Sequence, residues 1–138
     1  VRTNVRFRTE KFKLPQNDGE PFPSTELAGW LVERFREEFN LDYLDEDYYC
    51  LLFVGDPVEA KLEGACGYVE GNIWQISMHL KPSFIDRLLK RALPHDVHRN
   101  FLISLDEFLQ SDPEITDIEW YEEDSRLREF NHGTHAVP

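Results

Sequence analysis

The amino-acid sequence predicts an α+β fold, a mostly antiparallel sheet of about five strands packed against three helices in the order β-α-β-β-β-α-α-β. Three observations carry that expectation. Val5 and Phe7 alternate with Arg6 and Arg8, and Ile118 and Trp120 alternate with Asp117 and Glu119, the period of a half-buried strand. Leu27, Leu31, Phe35 and Phe39 recur every fourth residue, the spacing of one helix face. Gly71-Asn72 separates two strand-like runs and suits a two-residue hairpin turn with glycine first. Hairpin-linked strands with helices at either end favour an antiparallel sheet lying on helices.

Each element has a local reason. The alternation of the first strand breaks before Phe12 and Leu14, which marks a bend near Thr9-Glu10. Residues 16–23 read as a loop, punctuated by Asp18-Gly19 and two prolines. Ser24 suits an N-cap, Glu26 favours the positive end of the helix dipole, and the helix is expected to end near Asn40. Tyr48 to Val54 is apolar on both faces, a central strand closed by Gly55-Asp56-Pro57, and the acidic residues before it read as a loop. In the hairpin of Ala60–Val69 and Ile73–Leu80, the expected register pairs Val69 with Trp74, Gly67 with Ile76 and Ala65 with Met78. Its polar face then gathers Gly64, Cys66 and Tyr68 beside Gln75, Ser77 and His79.

Pro82 and Ser83 open a helix through Leu93, with Phe84, Ile85, Leu88, Leu89 and Ala92 on one side. Asp96 caps the next helix, whose buried stripe is Val97, Phe101, Leu105, Phe108 and Leu109. Ser111-Asp112-Pro113 breaks the chain before a last strand over Ile115 to Tyr121. These elements predict a single domain over residues 1–124, followed by a loosely docked or flexible tail over 125–138.

Composition narrows the function. The chain has 138 residues, with 27 Asp+Glu against 15 Lys+Arg and a formal net charge of -12. Hydrophobic residues at 41% and aromatics at 13% exclude a disordered acidic tail, which has too little apolar surface to offset chain entropy. No apolar run approaches the ~20 residues of a membrane span, so no membrane partner is expected. Cys50 and Cys66 sit inside strand-like segments, a poor disulfide framework, and a reducing cytoplasm is the expected compartment.

Charge is segregated along the chain. Residues 1–13 hold five bases and one acid, and residues 81–99 hold five bases and two acids. Residues 100–124 hold nine acids and no base, and Asp42, Asp45, Glu46 and Asp47 form a second acidic run. Such a field repels phosphates, so nucleic acid is not an expected ligand, whereas a basic protein would be drawn in. The bland account is a solvated surface that keeps the protein from associating.

Candidate chemistry is sparse. His95 and His98, like His132 and His135, have H-x-x-H spacing, but zinc ordinarily needs a third or fourth ligand. Gly64, Gly67 and Gly71 do not form a phosphate-binding fingerprint, and no cofactor is implied. A small hydrolase or transferase would use Cys66 as nucleophile with His79 as base, diagonal across the hairpin. An oligomeric scaffold would use Trp30 or another exposed aromatic.

Glu20-Pro21-Phe22-Pro23 running into Glu26-Leu27-Ala28-Gly29-Trp30-Leu31, with Ser111-Asp112-Pro113 before Ile118-Glu119-Trp120, resembles small bacterial α+β proteins of the toxin-immunity kind. The resemblance implies a non-catalytic role: an inhibitor that binds a cognate toxin and blocks its active site, often with an acidic surface against a basic nuclease. The expected contacts are Asp42, Asp45, Glu46 and Asp47 with Glu119, Tyr121, Glu122, Glu123 and Asp124. The two acidic runs are expected to lie close together in the fold.

Overall fold

The computed structural model describes residues 2–14, 24–82, 84–124, 129, 130 and 138. Along them run β1 (Asn4–Arg8), α1 (Ser24–Phe39), β2 (Leu41–Asp45), β3 (Tyr49–Val54), β4 (Leu62–Glu70), β5 (Ile73–Leu80), α2 (Phe84–Leu88), α3 (His95–Ser111), β6 (Thr116–Tyr121), β7 (Glu123–Asp124) and β8 (Glu129–Phe130). The α+β class is as expected. Its main sheet has six antiparallel strands rather than about five, in the order β2-β3-β4-β5-β1-β6, while β7 and β8 pair as a separate ribbon. The loop expected over 16–23 and the His132/His135 pair lie outside the described residues, as does most of the tail expected over 125–138.

The additional strand is β2, read from sequence as an acidic loop. An edge strand needs apolar side chains on one face only, and buried Leu41 with half-buried Tyr43 supply them opposite Val54 and Leu52. Asn40 makes the entry possible. Its φ of 56° closes α1, with its N–H bonded to the carbonyl of Arg36 at 2.8 Å, and asparagine is among the few residues that adopt this left-handed conformation readily.

Leu27, Leu31 and Phe35 of α1 and Phe101, Leu102, Leu105 and Leu109 of α3 pack on one face of the sheet. They meet Val5, Phe7, Leu52, Trp74, Ile76, Met78 and Trp120. The buried indole of Trp120 donates to Asp106 of α3 at 2.8 Å, so the helix and the last strand are joined by more than apolar contact.

The second helix is much shorter than expected. It stops at Leu88 because Lys90 takes φ 53° and the chain folds back: Arg91 N–H bonds to the Asp86 carbonyl at 2.9 Å and Lys90 N–H to that of Arg87 at 3.4 Å. This is the paired hydrogen bonding of a helix C-terminus usually made with glycine. The expected apolar stripe is broken accordingly, with Leu88 67% and Leu89 57% exposed. In α3, Pro94 rather than Asp96 occupies the cap position and no side chain caps the helix; Asp96 lies in the first turn. Val97 is exposed, and His98 with Leu102 takes its place in the buried stripe.

The β4–β5 turn is Gly71-Asn72 as expected, but a bulge between Tyr68 and Glu70 leaves Val69 as an extra residue and shifts the register by one. Gly64 therefore faces Met78, Cys66 faces Ile76 and Tyr68 faces Trp74. The apolar face gains Cys66, which is 1% exposed, and the opposite face carries Ala65, Gly67, Gln75, Ser77 and His79.

His98 is buried, and its Nε2 lies 2.7 Å from the Met78 carbonyl, where the neutral ring donates. Burial lowers its pKa, the bond to Met78 opposes this, and the nearby His79 and His95 add to the lowering. The unfolded chain thus takes up the proton first. This contribution to stability is complete above the ordinary value of 6.5 and is lost as pH falls from there toward the folded value. Denaturant titrations across that window should show unfolding free energy dropping with pH in the native sequence. The slope should flatten in His98→Gln, whose amide can still donate.

Candidate functional site

The tip of the β2–β3 hairpin is a tight turn made by the acids themselves. Asp47 has φ 70°, its N–H bonds to the Asp45 carboxylate at 2.9 Å, and Glu46 N–H bonds to the Tyr49 carbonyl at 2.9 Å. Short polar side chains that accept from the backbone two residues on favour such a turn. Ser24, the first residue of α1, donates its hydroxyl to the Tyr48 carbonyl at 3.0 Å and so ties the turn to the helix. The result is a fixed corner presenting Asp45, Glu46 and Asp47 in an unbroken exposed run from Leu44 to Tyr49.

Aromatic surface accompanies the charge. Tyr48 is 60% exposed, Tyr49 47% and Leu44 45%, although Tyr48 and Tyr49 read from sequence as the start of a buried central strand. Tyr49 also borders a shallow cavity of about 180 Å³, lined with Ala65, Gly67, Gln75 and Ser77 from the same sheet face. Asp42 stands apart from the tip, because Arg36 lies 3.6 Å from its carboxylate.

The second acidic run lies elsewhere. β2 and β6 are the opposite edges of the sheet, five strand spacings or about 24 Å apart, so the expected merging of the two patches does not occur. Sequence distance gave no warning of this, since the chain places β1, not β2, beside β6. The β6 charges are also answered within the molecule. Glu119 sits opposite Arg6 in the ladder, and Asp117 pairs with Arg8 at 3.3 Å. Tyr121 is half-buried, donates its hydroxyl to the Glu119 carboxylate, and has the Arg6 guanidinium 5.9 Å from its ring centre. Burial first, and then the bond to Glu119, push its phenol up to about 12. Glu122 is exposed, and the side chains of Glu123 and Asp124 lie outside the described residues.

The other sequence candidates are not assembled. Cys66 faces the core opposite Cys50, while His79 faces Glu63 on the other side of the sheet, so the expected nucleophile and base point apart. The register shift at Val69 is the cause. Among the described residues no three His, Cys, Asp or Glu side chains are grouped as metal ligands. Trp30 is engaged within the fold, stacked on Phe108 at 4.3 Å with the Lys11 ammonium 4.9 Å from its ring centre. Among the described residues no helix is long and apolar enough to cross a membrane.

No family model, curated protein or solved structure matches this chain. The class that fold and surface define is thus an α+β protein with an acidic, aromatic corner.

Proposed function

We propose that this chain is a non-catalytic binding protein that docks a basic effector through the β2–β3 corner and occludes it, in the manner of an immunity-type inhibitor. The observation that carries the reading is the coincidence of Tyr48, Tyr49 and Leu44, all exposed, with Asp45, Glu46 and Asp47 on one rigid turn. Exposed tyrosines give large contact area at small conformational cost and dominate many interfaces. Surrounding carboxylates attract a basic partner and speed encounter, an effect that weakens with salt. The β6 patch is left out of this reading, because Asp117 is paired with Arg8 and Glu119 accepts from Tyr121 within the fold.

The test is a pull-down from lysate of the source cells, in low and high salt, with the native sequence, the triple variant Asp45→Lys/Glu46→Lys/Asp47→Lys, and Glu122→Lys. A partner of basic composition should be captured by the native protein and by Glu122→Lys. Its association with the triple variant should be slower by roughly tenfold to a hundredfold at low salt, with a flattened salt dependence. Tyr48→Ala or Tyr49→Ala should instead act on dissociation, each costing about 2 kcal/mol. Equal capture by the triple variant would reject the corner, and an acidic partner would reject the electrostatic reading.

A further inference from the structure

Cys50 and Cys66 stand directly opposite one another on β3 and β4. Two bonds frame the neighbouring ladder, Gly55 N–H to the Asn40 carbonyl and Glu46 N–H to that of Tyr49. Tyr49, Leu51 and Phe53 therefore bond to β2, and by alternation the backbone of Cys50 bonds to β4. A hydrogen-bonded antiparallel pair has its Cα atoms about 5.5 Å apart, inside the ~4.4–6.8 Å spanned by protein disulfides. Both side chains point to the same face, beneath α1, and are 0% and 1% exposed. Both are reduced.

From this juxtaposition we infer that Cys50 and Cys66 are a reversible disulfide site, oxidised by hydrogen peroxide. The two sulfurs have distinct parts. The Cys66 S–H donated to the Cys50 sulfur lowers the Cys50 thiol, with burial and Asp45 opposing, while the same bond and burial raise Cys66 well above its usual range. Cys50 is accordingly the attacking sulfur. Its thiolate takes one oxygen from the peroxide, breaking the O–O bond, and the other leaves as hydroxide and is protonated to water. The resulting Cys50 sulfenic acid is attacked by the Cys66 sulfur, which forms the S–S bond, gives up its proton and releases a second water. Two thiols and one peroxide thus become one disulfide and two waters. Cys50 follows Tyr48 and Tyr49 directly, so the bond fastens the root of the exposed corner to β4.

The experiment treats the intact protein with hydrogen peroxide, unfolds it in urea and alkylates any thiol that remains. The expected product has lost two hydrogens, carries no alkyl group and yields a Cys50–Cys66 linked peptide that a dithiol reductant separates. Its Tm is expected to rise by about 5–10 °C. In Cys66→Ser, dimedone should label Cys50 without any cross-link. Two alkyl groups on the treated native protein, a sulfinic acid in place of the link, or a disulfide between two chains would each overturn the inference.

Discussion

Replacing Gly64 with alanine is expected to destabilise the protein by about 3–5 kcal/mol, a large share of the ~5–15 kcal/mol that holds a domain together. A Cβ at this position would lie 1.8 Å from the Ser77 carbonyl oxygen, 2.5 Å from its carbon and 2.8 Å from the Met78 Cα. These are backbone atoms of β5, and no rotamer change relieves them. The only escape is to part β4 from β5, which also strains the bond from Ala65 N–H to the Ser77 hydroxyl at 3.1 Å. Gly29 is the internal control. It lies in α1, and a methyl group there would meet nothing within 4 Å, so Gly29→Ala should stabilise by about 0.5–1 kcal/mol. Urea unfolding followed by circular dichroism reads both, and equal small effects would remove the steric account.

Phe35→Ala should cost a comparable 3–5 kcal/mol, through loss of the joint between the two long helices. The ring is fully buried, with centroids 5.4 Å from Phe101, 5.4 Å from Phe108 and 6.0 Å from Phe39. Its contacts with Phe108 and Phe39 are edge-to-face, the arrangement that adds to simple burial. A double-mutant cycle between Phe35 and Phe101 is expected to return a coupling of about 0.5–1.5 kcal/mol. Additive losses would mean that the helices are held independently by the sheet.

The long-period features of this fold were legible in the sequence, and the single-residue devices were not. The four-residue spacing of Leu27, Leu31, Phe35 and Phe39 was enough for α1, and the alternation around Val5 and Trp120 was enough for β1 and β6. The bulge at Val69 carries no sequence signature, yet it moved Cys66 from the expected polar face to the core and dissolved the pairing with His79. The left-handed Lys90 ends α2 early, and the stop is not legible because a lysine stands where glycine would have announced it. At the candidate site, the acids of the β2–β3 turn were visible as charge. Their neighbours Tyr48 and Tyr49 were misread as core, since an apolar run beside a two-residue turn looks the same whether its first members are covered or not. The separation of the acidic runs depends on which strand lies at which edge, a property of topology that local pattern does not encode.

The placement of β1 between β5 and β6 sets the order in which the sheet can be completed. Asn4 pairs with Ser77 on one side and with Tyr121 on the other, so β1 has no partner in the sheet until β5 and β6, far along the chain, have followed it. The β2–β3–β4–β5 meander can zip from its own turns, whereas closing β1 into the sheet requires long loops to be ordered first, which makes folding slow. Until then the nascent Val5 and Phe7 are exposed on an unpaired strand, and protection from mispairing during synthesis falls to the flanking Arg6 and Arg8.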